Sequence, residues 1–442
     1  MEQVIQTASE KYKGKETSMN MTEKYIKSWD YWRGIVEIYQ NIRDQCTDLS
    51  TQNNSKLEKT FPVIEEFPFN SSNQIVNTQY VQKYSFVGKI NNQNKEYGFL
   101  SYDPSTETAV FDNEGAISEK CITRLGTSDK EGKPGLTGKH GEGLKLSAIA
   151  LLRNSSRKVV LLTQGKHYEY VFDYPSLDDT ERSLYCVKSE LSDKSLHQGR
   201  TRIEIHGIGF KEWKLACSKI LDLSTRQEQD KHFIYPFNSK YSGHGFLILP
   251  DFPNKRFVGE CYINGLFVQT EDKDAHKLEL FSSNLYNLPL DRDRNTVGTT
   301  KTRMRHVSDL LVDVSFYIQQ RPVIDINLLT DRIYRMLSVW NLWVKDFTVE
   351  IKELLKENPT MPDKKFFLNK LYDWFLKHYP GKRPISGSGE VETVENTMKL
   401  MGFSRTFYDY YDINNSWIYE PLKLSDKYSF IHKYVEKKIK RA

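Results

Sequence analysis

The sequence predicts an α/β (α+β) chain whose first part is an antiparallel sheet with helices on one face. Three observations predict it. Trp32, Ile35, Val36, Tyr39 and Ile42 recur at helical spacing and make one apolar stripe. Short strand-like runs follow one another at 83–90, 97–102, 158–163, 167–172 and 201–205. Between them, Gly135, Gly138, Gly141 and Gly143 crowd ahead of Leu144, Leu146, Ile149, Leu151 and Leu152, which reads as a second helix.

Taken in order, residues 1–27 read as a polar N-terminal arm. On the helix that follows, 100° per residue gathers Glu37, Asn41 and Asp44 on the face away from the apolar stripe. A carboxylate, an amide and a second carboxylate are oxygen ligands of the kind a hydrated magnesium ion uses, with one carboxylate left to act as a base. The same pattern also describes a plain solvated helix face. Runs 83–90 and 97–102, joined through Asn91-Asn92-Gln93-Asn94, form a hairpin signature inside an insert of about 51–105, read as an extra edge hairpin. Asp112-Asn113-Glu114-Gly115 reads as a turn.

The loop Gly138-Lys139-His140-Gly141-Glu142-Gly143-Leu144-Lys145 then opens the second helix. Free N–H groups at a helix start bind phosphate, and glycine lets the backbone come close. A flexible surface loop is the plainer alternative. A P-loop is excluded, because His140 stands where Ser or Thr is required after Gly138-Lys139. Gly199-Arg200-Thr201-Arg202-Ile203-Glu204-Ile205 supplies a late strand.

A second α/β unit is expected over 209–322, with a buried strand at 245–249 and a hairpin about Asn264-Gly265. Its charged loop, Asp291-Arg292-Asp293-Arg294, reads either as self-paired ions or as a source of anion-binding cations. Residues 323–442 read as mainly helical at 326–347, 364–378 and 391–401, broken by turn residues at 380–389 and ending in a basic tail.

Composition bounds the rest. A chain of 442 residues suits two or three domains. The net charge of +5 permits nucleic-acid binding without arguing for it. Five scattered cysteines with no C-x-x-C pair give neither a zinc site nor a disulfide framework and fit a reducing, intracellular setting, cytoplasmic or nuclear. No signal-like apolar run opens the chain, and no run of 18 apolar residues suggests a membrane span.

In this order the motifs of residues 30–205 resemble the GHKL ATPases: DNA gyrase, the large heat-shock chaperones, sensor histidine kinases, MutL and the MORC proteins. Glu37-x-x-x-Asn41-x-x-Asp44 matches fully, and the glycine loop reads much like the MORC and MutL versions. The resemblance implies a Bergerat ATP-binding sandwich over 28–208, a transducer-like domain over 209–322 and a helical C-terminal region. It implies ATP and Mg2+ as cofactors, with Glu37 polarising the attacking water and Asn41 binding magnesium. Asp112 would accept from the adenine amino group, supported by Thr201, with Asp44 and Gly115 beside the nucleotide. Gly138, Gly141, Gly143 and the first-turn Leu144 would wrap the phosphates, helped by Lys139 or Lys145. A basic residue of the second domain, with Arg292, Arg294, Lys301 and Arg303 as candidates, would reach the γ-phosphate. In dimerising relatives such an N-terminal arm can cross to the partner subunit, and a disordered tail is the equal alternative here.

The family's turn is usually D-x-G-x-G, whereas Asp112-Asn113-Glu114-Gly115-Ala116 places its glycine between the two usual positions. The expected function is an ATPase that couples nucleotide binding to homodimer closure and domain movement, with DNA, chromatin or a protein as client. The alternative is an ATP-binding clamp without turnover. A histidine kinase is disfavoured, because no histidine precedes the Glu37 helix.

Overall fold

A computed structural model describes residues 11–12, 15–53, 63–68, 80–124, 142–176 and 178–224 of the first part of the chain. Beyond these it describes 233–236, 239–249, 257–270, 281–286, 288, scattered positions over 303–314, and the short segments 383–384, 408–409 and 418–421. The chain divides into two compact units, Met1–Arg226 and Gln227–Ala442.

The first unit is α+β. Its described strands are β1 (Glu16–Thr22), β2 (Val63–Pro68), β3 (Tyr80–Ile90), β4 (Gln93–Asp103), β5 (Thr108–Glu114), β6 (Lys158–Thr163), β7 (Lys166–Asp173), β8 (Ser183–Glu190) and β9 (Arg200–His206). They form one nine-stranded sheet in the order β1-β8-β7-β6-β9-β5-β4-β3-β2, and each neighbouring pair is antiparallel.

Helix α1 (Tyr31–Gln52) lies against β3, β4 and β5, and against α3 (Gly143–Leu152) and α4 (Phe210–Ser218). The short helices α2 (Glu119–Thr123) and α5 (Leu221–Ser224) lie beside β1 and α4 respectively. Of the expected apolar stripe of α1, Ile35, Val36, Tyr39 and Ile42 are buried and Trp32 is part-buried, but Glu37 and Asp44 are buried too. The helix is covered by the sheet on one side and by α3 on another, so its polar face is not a solvated one.

Alternation sorts the sheet into two faces. Phe111 pairs with Ile203 and Leu100, and Ile203 with Leu161, all buried on the helix side. Arg202, Glu204 and His206 project the other way and are part-exposed. Trp213 of α4 stacks on Tyr102 (5.1 Å between centroids), meets Phe111 edge-on and donates its indole N–H to Gln82 Oε1 (3.1 Å). The first unit therefore runs to Arg226, past the expected boundary at 208, because α4 fills its core.

One other expectation changes. The segment read as a polar arm supplies the edge strand β1, with Met19 and Met21 turned inward at period two. β1 departs from its register with β8 between Ser18 and Thr22, where Asn20 has φ 52°. The hairpin β3–β4 joins the sheet through β4, which pairs with β5, and β2 pairs beyond β3. Its turn is the two residues Asn91 (φ 49°) and Asn92 (φ 65°), the left-handed pair a tight hairpin needs.

Arg153, just past α3, fastens the entry to α1. Its guanidinium donates to the carbonyl oxygens of Glu23, Tyr25, Ile26 and Trp29 at 2.6–3.1 Å. The turn before α1 thus satisfies carbonyls that would otherwise be left over.

The second unit carries a five-stranded sheet, β10 (Phe233–Ile234), β11 (Gly245–Ile248), β14 (Ser282–Leu285), β12 (Glu260–Ile263) and β13 (Leu266–Thr270), in that spatial order. β12 and β14 are parallel and the other pairs antiparallel. The hairpin turn is Asn264-Gly265, both at positive φ, as the dipeptide predicts. Among positions 303–314 the described residues are helical, and Arg303 is buried. The segments Arg383–Pro384, Tyr408–Asp409 and Ile418–Pro421 pair as three short strands. The three helices expected after residue 323 lie outside the described residues. Among the described residues, no helix is long and apolar enough to cross a membrane.

Candidate functional site

One face of α1 organises the site. At its upper end the Glu37 carboxylate sits against Gly143, the first residue of α3. A Cβ built on Gly143 would lie 2.1 Å from Glu37 Oε1, so only glycine leaves the carboxylate its place. Glu37 is buried (3% exposed), and a carboxylate at a helix N-terminus is favoured by the helix dipole. Two helical steps along, Gln45 lies against Gly115. A Cβ on Gly115 would meet Gln45 Nε2 at 2.7 Å, and its φ of +94° also requires glycine. Asn41 lies between these two points, four residues from each, and is part-exposed. Asp44 shares the face and is buried.

The turn after β5 is held by Thr201. Its hydroxyl donates to the Gly115 carbonyl oxygen (2.8 Å) and accepts from the Ile117 N–H (3.1 Å). Gly115 N–H donates to the Gly199 carbonyl (2.8 Å), and Thr163 Oγ1 to the Arg200 carbonyl (2.8 Å). One threonine on β9 thus fixes a turn that begins on β5.

Strand register decides which β5 side chains face this site. Directly opposed residues of an antiparallel pair share a face. Asn113 is opposite Thr201 on β9 and Gly98 on β4. A Cβ on Gly98 would lie 2.9 Å from Cys46 Sγ of α1, so Gly98, Asn113 and Thr201 face α1. Asp112 is opposite Arg202 and Phe99, on the reverse face. Its Oδ1 accepts from Arg200 Nε (2.9 Å) and also from Nη2. The expected adenine-binding carboxylate is therefore turned away from α1 and engaged by a guanidinium.

Lys145 also differs from expectation. It is fully buried and donates to the Cys121 carbonyl oxygen of α2. Burial lowers its pKa to about 8. The first turn of α3 directs this ammonium into the core, so it is not offered to a phosphate. Leu144 is buried beside it. Gly138, Lys139 and Gly141, and likewise Arg292, Arg294 and Lys301, lie outside the described residues. Among the described residues, no group of three or more His, Cys, Asp or Glu side chains is placed to hold a metal ion.

Sequence reasoning passed over Asn113, Gln45 and Arg200. Gln45 was legible as the next i+4 step from Asn41. The other two depend on strand pairing, which composition does not give.

No family model matches the chain, and no curated protein matches it. Among solved structures, the ATPase and transducer domains of DNA topoisomerase II from Balamuthia mandrillaris are similar at 10% identity. The match covers 68% of this chain and 95% of that one, with a TM-score of 0.27. A likeness that loose leaves the function to be argued from this chain's own residues.

Proposed function

We propose that this chain is a GHKL-type ATPase that binds Mg-ATP on the α1 face, hydrolyses it and couples binding to homodimer closure and domain movement. The observation that carries the reading is Glu37 held against Gly143 at the start of α3, with Asn41 one turn along and the Gly115–Thr201 turn beyond it. These residues suit the substrate. Glycines at 143 and 115 let Glu37 and Gln45 of α1 pack directly against the two turns, and the helix start offers N–H groups to phosphate. Glu37 accepts the proton of the water that attacks the γ-phosphorus, while the bond from that phosphorus to the β–γ bridging oxygen breaks. Gly138, Gly141 and Lys139 are assigned to the phosphates on sequence alone.

Asn41 would hold magnesium, with Asp44 beside it on the same helix face, because that ion takes oxygen donors and needs few from the protein. When bound, magnesium neutralises charge on the phosphate oxygens. DNA, chromatin or a protein is the proposed client.

A second reading is favoured by two observations. The β5 turn departs from the two-glycine pattern, and Asp112 is committed to Arg200. On that reading the chain binds ATP as a conformational clamp without turnover.

Hydrolysis and molecular mass, measured together on the wild type and Glu37→Ala with and without magnesium and DNA, separate the two. Glu37→Ala is expected to keep nucleotide binding and to lose turnover by about 10²-fold or more. Hydrolysis at the wild-type rate in that variant would remove Glu37 from the mechanism. Binding without any wild-type turnover would select the clamp. A chain that stays monomeric with a non-hydrolysable analogue would remove dimer closure.

A further inference from the structure

We propose that the base-reading residue of this site is Asn113, not Asp112, and that a neutral amide there makes the site tolerant of both adenine and guanine nucleotides. The inference rests on the nucleotide reading above and deepens it.

Two independent observations agree. The first is register. Asn113 is buried between Thr201 and Gly98 on the face that meets α1, and Asp112 is on the reverse face. Bringing Asp112 round would require β5 to slip by one residue. That slip would turn the fully buried Ala109 and Phe111 out of the core. The second is the turn. Gly115, at φ +94°, falls two residues after Asn113, so Asn113-Glu114-Gly115 has the spacing of an acidic residue, any residue and glycine, with the acid replaced by its amide. Read from Asp112 the same stretch has no glycine at the required place.

The chemistry follows from the side chain. A carboxylate only accepts, so it selects the exocyclic amino group of adenine and repels the guanine O6. Asn113 carries an acceptor and a donor. Its Oδ1 accepts from the adenine amino group. Its Nδ2 carries two hydrogens, and the one not given to the Glu114 carbonyl is the donor for guanine O6. At present Nδ2 donates to the neighbouring Glu114 carbonyl (2.5 Å). Thr201, opposite Asn113, holds the turn that frames the base.

The test is equilibrium binding of Mg-ATP and Mg-GTP analogues to the full chain and to Asp112→Asn, Asn113→Ala and Asn113→Asp, with thermal unfolding as the folding control. The wild type is expected to bind both nucleotides within about tenfold of each other. Asp112→Asn should bind as the wild type does. Asn113→Ala should lose affinity about tenfold or more for both. Asn113→Asp should retain ATP and lose GTP about tenfold or more, which a merely structural role for Asn113 would not produce. If Asn113→Ala does not fold, Asp112→Asn and Asn113→Asp decide. Loss of binding in Asp112→Asn, or no change of preference in Asn113→Asp, overturns the assignment and leaves the nucleotide reading standing. A wild type that binds neither nucleotide overturns both.

Discussion

Lys145, one of the two lysines expected at the phosphates, is found in the core, and its ionisation has a measurable consequence. The folded lysine releases its proton near pH 8, and the unfolded one near its ordinary value of 10.5. Between those values the unfolded chain holds the extra proton, so stability rises with pH across that window. The gain is up to about 3 kcal/mol if the whole shift is realised. Lys145→Met, which keeps the stem and removes the charge, should be more stable than the wild type at pH 7 and should flatten the rise. Chemical denaturation at several pH values between 7.5 and 10 reads this directly. An identical pH profile in both proteins would mean that the ammonium is not desolvated.

Between elements, the hydroxyl of Thr201 is the tie that matters most to the site. Thr201→Val keeps the shape and removes both bonds to the Gly115–Ile117 turn, leaving a carbonyl and an N–H to find water. The expected loss is about 1–3 kcal/mol, with weaker nucleotide binding because the turn is no longer fixed. Unchanged affinity would make the tie purely structural.

This is also the scale at which sequence and structure part company. Helical periodicity placed Glu37, Asn41 and Asp44 on one face, because a helix carries its own register. The Asn-Gly and Asn-Asn hairpins were legible because a left-handed turn needs those residues. The side-chain direction of β5 was not legible, because alternation says that Asp112 and Asn113 point opposite ways without saying which faces the helices. That choice is made by Phe111 and Ala109, whose burial against α1 and α4 fixes the strand. β1 was missed because its signal is only two inward methionines in a polar run.

For the molecule as a whole, the position of Trp213 sets the limit of the first unit. A chain ending at 208 lacks α4 and leaves Tyr102 and Phe111 without their aromatic partner. Removing one such tryptophan costs about 3–5 kcal/mol, against a total stability of about 5–15 kcal/mol for an ordinary domain. Residues 1–226 are therefore expected to resist protease and unfold cooperatively, and residues 1–208 to be digested. Equal resistance of the two would return the boundary to 208.

Broad antiparallel sheets carry a hazard at their margins, where unpaired N–H and C=O groups can template a foreign strand. Among the described residues β1 is one margin of the large sheet, and it does not run straight. Its register with β8 breaks between Ser18 and Thr22, with Asn20 in the left-handed region. That kink spoils the regular spacing an incoming strand would need. The irregularity gives this margin of the sheet a built-in guard against edge-to-edge aggregation.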